Sequence, residues 1–242
     1  MQRQAPIPGN RCLMKAAVLT ADNCIEVLDL KGSVLAPDEC EISISAAGIC
    51  SSDIARACDG GAYFYPLVMG HEIAGVVTRI GEKAEKQFAV DDQVAVFPLL
   101  PCFHCPPCQA EMYAQCRDYS YYGSRQHGGF AEKLNVKAWN LVKIRDGVPI
   151  DDAALTEPTA VVIHALDRLA IPKDRPCELC ILGGGFLGLL AVQVAAAEYP
   201  NVVVTLADRN DYKLEIARRL GAETVRISNA DECAVFEEAS AD

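Results

Sequence analysis

The chain has 242 residues, of which 51% are hydrophobic and 23% charged, a composition typical of one large or two modest globular domains. Its net charge of -11 argues against a nucleic-acid partner, which needs a basic face. The sequence has neither a signal-like apolar run at its start nor an apolar stretch of about 18 residues, and it therefore predicts a cytoplasmic protein without membrane contacts.

The first part of the chain alternates short apolar stretches with turn residues. Strands are predicted at residues 15–19, 25–28, 41–46, 73–80, 91–96 and 134–136. A helix is predicted over 51–57, with Ser51 or Ser52 as its N-cap. Many short strands with turns between them indicate a barrel-like all-β unit, to which we assign residues 1–160.

Side chains that bind metals stand in three separate motifs of this first part. They are Cys50, His71, Glu72 and Glu157. Each motif alone is weak, because a lone histidine before a strand is more often a structural residue. Together they offer one thiolate, one imidazole and carboxylates, which is the ligand set of a catalytic zinc that keeps a position open for substrate.

Four of the twelve cysteines are crowded into one proline-containing loop with the spacing C-x2-C-x2-C-x7-C. They are Cys102, Cys105, Cys108 and Cys116. Four thiolates at this spacing can converge on one tetrahedral ion at about 2.3 Å each, which leaves no open position and predicts a structural zinc. His104 is not expected to be a ligand, and the prolines are expected to keep the loop out of helix and strand. Free or disulfide-bonded thiols are the alternative.

The pattern changes to α/β after residue 151. A helix is predicted over 158–170, a buried strand over 178–182, a helix over 189–198 and a strand over 202–207. Between the first strand and the helix that follows it stands a G-x-G-x-x-G fingerprint, whose residues include Gly183, Gly185, Phe186, Leu187 and Gly188. Its glycines let a pyrophosphate approach the N-terminus of the helix, so the motif predicts a dinucleotide site.

An acidic residue, Asp208, ends the next strand, twenty residues after the last fingerprint glycine. It would accept hydrogen bonds from the ribose hydroxyls and repel a 2′-phosphate, which favours NAD over NADP, although the adjacent Arg209 softens that preference. We assign residues 161–242 to a partial Rossmann NAD-binding domain. Cys177 and Cys180 form a C-x2-C pair, but Cys180 falls in the predicted strand and is expected to act as a small apolar side chain.

These motifs jointly resemble the zinc-dependent medium-chain alcohol and polyol dehydrogenases over residues 15–229. The resemblance implies a GroES-like β-barrel catalytic domain followed by a Rossmann domain, in a homo-oligomer with its active site between the domains. It implies that Cys50 and His71 bind the catalytic zinc and that the two glutamates complete or exchange in its shell. Ser52 would relay the substrate proton and Asp53 would orient a ligand, whereas Ala55 replaces a histidine that passes the proton on in many members.

The resemblance also implies the reaction, which is hydride transfer between NAD and a secondary alcohol of a polyol or polyol phosphate. The runs 97–103, 123–125 and 128–132 are closer to the polyol-phosphate branch of the family than to its alcohol or threonine branches, and the sorbitol branch is the near alternative. A substrate phosphate needs a basic partner, for which Arg56 and Arg125 are candidates. A solvated loop charge is the alternative interpretation of Arg125.

Only three strands of a Rossmann sheet are expected before the chain ends, at 178–182, 202–207 and 224–227. The first of them is expected to form a bare apolar edge. We therefore expect a truncated chain, and a non-catalytic zinc-binding remnant is the alternative function. A zinc-free relative of the quinone-reductase type is a third possibility, which the predicted catalytic zinc ligands disfavour.

Overall fold

The structure is a computed structural model that describes residues 13–172 and 174–227. The chain divides into two compact units, Met1–Glu157 and Pro158–Asp242. Within the described ranges, no helix is both long enough and apolar enough to cross a membrane.

The first unit is built mainly of antiparallel strands, in agreement with the predicted all-β unit. Its strands are β1 (Leu13–Ala21), β2 (Cys24–Lys31), β3 (Glu39–Gly48), β4 (Leu67–Val68), β5 (Glu72–Ile80), β6 (Gln93–Val96), β7 (Leu99–Leu100), β8 (Ser120–Tyr121), β9 (Lys133–Lys137) and β10 (Leu141–Lys143). They form a five-stranded sheet of order β10-β6-β5-β3-β9, a three-stranded sheet of order β2-β1-β4, and the pair β7-β8. Every sequence-predicted strand of this unit is present, and β4, β7, β8 and β10 were not predicted.

The core of the first unit lies on the five-stranded sheet. Strand β5 is buried along most of its length, because it lies between β3 and β6 and bonds to both. The core side chains include Ile42, Ile73, Val77, Val94 and Val136. Strand β3 pairs with β5 so that Gly48 lies opposite Glu72, and this register brings two of the predicted metal motifs together.

Two short helices of the first unit correct details of the sequence predictions. Helix α1 (Ser51–Cys58) begins after Cys50, which is its N-cap in place of the predicted Ser51 or Ser52. The reason is that the carboxylate of Asp53, the third helical residue, accepts the backbone N–H of Cys50 at 3.1 Å, as in a capping box. The proline loop contains helix α2 (Pro106–Gln109), since proline is favourable in the first turn of a helix. The last helix of this unit is α3 (Ile150–Ala153).

The second unit has the predicted alternation of strands and helices. Its elements are helix α4 (Thr156–Arg168), which begins at the end of the first unit, then β11 (Cys177–Leu182), α5 (Phe186–Glu198), β12 (Val202–Asp208), α6 (Asp211–Arg219) and β13 (Glu223–Arg226). The strands are parallel in the order β11-β12-β13. Apolar side chains of α4, α5, α6 and β12 share one core, which includes Leu166, Val192, Leu206 and Leu214.

Strand β11 is an edge of this three-stranded sheet among the described residues. Its prediction as a buried strand is wrong, because its side chains alternate between half-buried and exposed, with Leu182 63% exposed. Cys177 and Cys180 are three residues apart in this strand and so point to opposite faces. That orientation does not suit a disulfide, in agreement with the rejected redox pair.

Candidate metal centres and cofactor loop

Three of the four predicted ligands of the catalytic zinc meet where β3 ends and β5 begins. The ligand atoms of Cys50, His71 and Glu72 all lie within 4.8 Å of one another, which fits a shared metal ion. Gly48 makes room for this arrangement, because a Cβ atom at that position would collide with the carboxylate of Glu72. No sequence signal marked Gly48, since the carboxylate that it accommodates is on another strand.

Asp53 lies behind two of these ligands. Its side chain is only 2% exposed, and it lies 3.5 Å from Nδ1 of His71 while also accepting the backbone N–H of Cys50. A partner at Nδ1 orients the imidazole and leaves Nε2 for a metal. The role that the resemblance implied for Asp53 therefore has a geometric basis on both ligands.

The electrostatic environment of the metal-free site shifts the pKa values of two candidate ligands in opposite directions. Burial opposes protonation of His71, but its contacts with Asp53, Cys50 and Glu157 raise its pKa to about 9. Burial also opposes ionisation of Cys50, but hydrogen bonds from Ser52 and His71 lower the thiol pKa below its usual value. The shift of the Cys50 pKa is in the direction that favours the thiolate, the form that binds zinc.

Glu72 and Glu157 behave differently in the structure. Burial raises the pKa of Glu72, and the nearby charge of Glu157 adds to that effect. Glu157 is outside the group of three converging ligands, and its carboxylate accepts a hydrogen bond of 3.0 Å from the Tyr121 hydroxyl. The Tyr121 ring also meets the ring of His71 edge-on at 5.9 Å between centroids. Tyr121 was not predicted as a site residue, because nothing local marks a tyrosine whose partner is 36 residues away.

A cavity of about 250 Å³ opens beside His71 and Tyr121. Ser52, Arg56 and Arg125 also line it, so the predicted proton relay and both candidate anion partners face the same space. A larger cavity of about 860 Å³ lies elsewhere in the first unit, and none of the predicted catalytic or metal-binding residues lines it. The smaller cavity is therefore the candidate substrate site, since chemistry rather than size distinguishes the two.

The four-cysteine loop folds so that all four sulfur atoms lie within 4.8 Å of one another. The sulfur atoms of Cys102 and Cys108 are 3.9 Å apart, and those of Cys105 and Cys116 are 4.0 Å apart. Four sulfurs at about 2.3 Å from one tetrahedral zinc would be roughly 3.8 Å apart, whereas disulfide sulfurs are about 2.05 Å apart. The spacing thus fits a metal cluster and excludes the disulfide alternative for these pairs.

The environment of this loop separates the four cysteines from the nearby histidine. Backbone N–H groups of Arg117 and Cys108 lower the pKa of Cys105 to about 6, which favours its thiolate. His104 is exposed, lies outside the sulfur cluster and bonds through Nδ1 to the carbonyl of Cys102 at 2.7 Å. These contacts agree with its exclusion from the predicted ligand set.

The glycine fingerprint forms the turn between β11 and α5. Gly183 has a φ of +101°, a conformation that other residues rarely adopt, and Gly185 is the N-cap of α5. Phe186 and Leu187 begin the helix and are exposed. A Cβ at Gly188 would collide with the carbonyl of Gly183, so the helix can approach the turn closely only with glycine there. This geometry agrees with the arrangement expected of a pyrophosphate-binding turn.

Asp208, at the end of β12, is tied to this turn. Its carboxylate accepts the backbone N–H of Gly184 at 2.6 Å and that of Asn210 at 2.8 Å. Burial opposes ionisation of Asp208, but these two donors and Lys213, whose Nζ lies 3.8 Å away, lower its pKa. Arg209 is exposed. Lys213 was not predicted as a site residue, because it lies five residues after Asp208, on helix α6.

A cluster of candidate zinc ligands in a β-rich unit, followed along the chain by a glycine turn in an α/β unit, is the arrangement typical of zinc-type dehydrogenases. The family model of the alcohol dehydrogenase GroES-like domain matches residues 36–146. This match and the relatives described next make the chain similar to zinc-type medium-chain dehydrogenases, and its fold is a GroES-like domain followed by a partial Rossmann-like region. The fold class and the family resemblance inferred from sequence are thereby confirmed.

Among its relatives, the chain is 38% identical over 210 residues to galactitol 1-phosphate 5-dehydrogenase of Escherichia coli strain K12, covering 86% of this chain and 60% of that protein. The crystal structure of an E. coli enzyme of that name has a TM-score of 0.84 at 34% identity, covering 93% of this chain and 65% of the other. The chain therefore spans about 60% of the length of this curated relative.

Two further structural neighbours contain nicotinamide cofactors. One is a zinc-binding dehydrogenase from Sinorhizobium meliloti 1021 bound to NADP, with a TM-score of 0.85, 29% identity and coverage of 92% of this chain and 64% of that chain. The other is a short chain alcohol dehydrogenase from E. coli CFT073 complexed with NADH, with a TM-score of 0.85, 30% identity and coverage of 94% of this chain and 66% of that chain.

Proposed function

We propose that this chain oxidises a secondary alcohol of a polyol or polyol phosphate with NAD, in a zinc-dependent reaction. The observation that carries the proposal is the convergence of Cys50, His71 and Glu72 within 4.8 Å, with Asp53 behind the first two. The name of the galactitol 1-phosphate relative supports the substrate class. We also propose that the protein is cytoplasmic and that it forms a homo-oligomer, as the family resemblance described above implies.

The proposal includes two zinc ions per chain. Cys50, His71 and Glu72 would hold the catalytic ion, with Glu157 as a carboxylate that can exchange into the shell. Cys102, Cys105, Cys108 and Cys116 would hold the structural ion. The sulfur spacing of 3.9 to 4.0 Å supports the second site, since it is close to that of a tetrahedral zinc thiolate.

The residues of the first unit would orient the substrate and move its proton. When bound, zinc supplies Lewis-acid chemistry at an alcohol oxygen and NAD accepts a hydride. Ser52 would take the proton of the substrate hydroxyl, and its exposure on the first turn of α1 lets it pass that proton to solvent. Ala55 offers no relay, so direct release to water is the proposed route. Tyr121 stays protonated, because burial and Glu157 raise its pKa, and it can hold Glu157 in place.

The second unit would hold NAD at the turn after β11. Asp208 supports a preference for NAD over NADP, because its lowered pKa keeps it negative at neutral pH and a 2′-phosphate would be repelled. The Nζ of Lys213 lies 3.8 Å from the Asp208 carboxylate, and its positive charge weakens that repulsion. The exposed Arg209 is available to do the same. One structural neighbour contains NADP and another NADH, so the preference has to be measured.

The test is NADH formation by the zinc-loaded chain against a panel of polyols and polyol phosphates. We expect turnover that needs both zinc and NAD, and that is abolished by a Cys50→Ser substitution. The matched control is Cys58→Ser, an exposed cysteine at the end of α1. If zinc and NAD both bind and no alcohol in the panel is oxidised, the dehydrogenase proposal fails and the non-catalytic alternative replaces it.

A further inference from the structure

The described side chains that line the cavity beside the candidate metal ligands include arginines and no carboxylates. Among the eight described residues that line it, two are arginines and none is aspartate or glutamate. The whole chain has a net charge of -11, so this concentration of positive charge runs against the general composition. A local field of this sign attracts an anionic group.

Arg125 is held in a fixed orientation at this cavity. Its guanidinium carbon lies 4.4 Å from the ring centre of Tyr63 and 4.6 Å from that of Tyr119. Both distances are within the range of cation–π contacts. Such contacts restrict the Arg125 side chain and leave most of its positive charge exposed. The guanidinium has N–H groups along its edge, of which Nη2 lies 3.4 Å from the Tyr63 hydroxyl, and such an edge can bind phosphate or carboxylate oxygens in pairs.

Arg56 is the second arginine that lines this cavity, and its guanidinium is paired with Asp53. Its Nη1 donates to Asp53 and to the carbonyl of Ser52, both at 3.2 Å. Its Nε is buried and has no hydrogen-bond partner within the described part of the chain.

We propose that this cavity selects alcohols that carry a terminal anionic group, and that Arg125 and Arg56 bind that group while the reacting hydroxyl lies toward His71. The inference rests on the proposed dehydrogenase function and specifies its substrate class. A phosphate and a carboxylate share the required chemistry, because both present paired oxygens to a guanidinium edge. Arg125 is then a specificity-determining residue, and the tyrosines that flank it are positioning residues.

The test is isothermal titration calorimetry of the zinc-loaded chain with a matched series of ligands, galactitol, galactitol 1-phosphate and galactonate. We expect one or both anions to bind at least about tenfold more tightly than galactitol. Arg125→Met should weaken anion binding by about 10- to 100-fold and change galactitol binding less than about twofold, since charged hydrogen bonds contribute roughly 1.5–3 kcal/mol. The relative affinities of the two anions identify which anion the site prefers.

Three further variants sharpen the result. Arg145→Met removes an exposed arginine that does not line the cavity and should leave all affinities unchanged. Arg125→Lys keeps the charge without the paired donors and should fall between wild type and Arg125→Met. Tyr119→Leu removes one of the two ring contacts of Arg125 and should also weaken anion binding. This variant provides a second measurement if Arg125→Met does not fold.

Two outcomes would overturn the inference. One is equal binding of galactitol and both anions by the wild-type chain, and the other is an equal loss of all three ligands in Arg125→Met. Oxidation of neutral polyols together with either outcome would leave the proposed function intact and remove only the anion site. Conversely, Arg125-dependent binding of inorganic phosphate without oxidation of any alcohol would support the anion site and contradict the proposed function.

Discussion

The carboxylate of Asp53 lies 3.5 Å from Nδ1 of His71. Its other oxygen accepts the backbone N–H of Cys50, so one buried side chain contacts two of the three converging ligands. Side chains that bond to metal ligands, as Asp53 does, determine how well those ligands are oriented before the metal binds.

We therefore expect Asp53→Asn to weaken zinc binding at the catalytic site by about 10- to 100-fold. The amide lacks the negative charge with which Asp53 orients the imidazole and raises its basicity as a zinc ligand. The measurement is competition for zinc between the protein and a chelator, in which the more weakly bound of the two zinc ions is followed. Asp59→Asn is the control, because Asp59 is exposed at the other end of the same helix. Unchanged zinc affinity in Asp53→Asn would show that this contact has no role in binding.

The pH dependence of the metal-free protein follows from His71. Its pKa is raised from 6.5 to about 9 in the folded state, so the folded state binds its proton more tightly than the unfolded state. This stabilisation is fully present below pH 6.5 and is lost as the pH rises to about 9.

Chelator-treated wild type should consequently lose stability relative to His71→Gln as the pH rises between 6.5 and 9. The comparison of the two proteins removes the contributions of other groups that titrate in this window. Urea-denaturation midpoints at several pH values measure the difference. A wild-type midpoint that runs parallel to that of His71→Gln would contradict the raised pKa.

The four-cysteine loop should stabilise the first unit through its metal. Cys108→Ser replaces a buried sulfur of the cluster, and we expect zinc content to fall from two to one per chain. Because structural zinc contributes directly to folding free energy, the melting temperature should fall by roughly 5 to 10 °C. Elemental analysis and thermal unfolding provide the two readouts.

The matched control for this loop is Cys58→Ser, which changes an exposed cysteine outside both clusters. It should retain two zinc ions and the wild-type melting temperature. Zinc content that stays at two in Cys108→Ser would mean that the four sulfurs do not share an ion.

The cofactor preference should depend on the charge of Asp208. Asp208→Asn keeps an oxygen that can accept the Gly184 N–H but removes the negative charge. We expect the ratio of NADP to NAD affinity to rise by about 10- to 100-fold, since opposed like charges cost several kcal/mol. Calorimetric titration of both cofactors measures the ratio. Asp167→Asn, an exposed site on α4, should leave it unchanged, and an unaltered ratio in Asp208→Asn would argue against the predicted NAD preference.

Much of the fold was predictable because its signals are local. Short apolar stretches between turns indicated the strands of the first unit, and a glycine turn between a strand and a helix indicated the second. Strand β11 shows the limit of such local signals. Its residues are apolar enough to read as buried, yet the exposure of a strand depends on which neighbours pair with it, and that information is not contained in the strand itself.

The sequence alone determined the types of chemistry in this protein, because closely spaced residues are forced together by the chain itself. Cys105 and Cys108, with two residues between them, are recognisable as members of one cluster from their spacing alone. The tertiary structure alone decided which distant residues share a site. Asp53 meets His71 through the register of β3 on β5, and Arg125 stacks on Tyr63 across 62 positions of the chain. Such contacts arise from strand pairing and packing, and no local pattern encodes them.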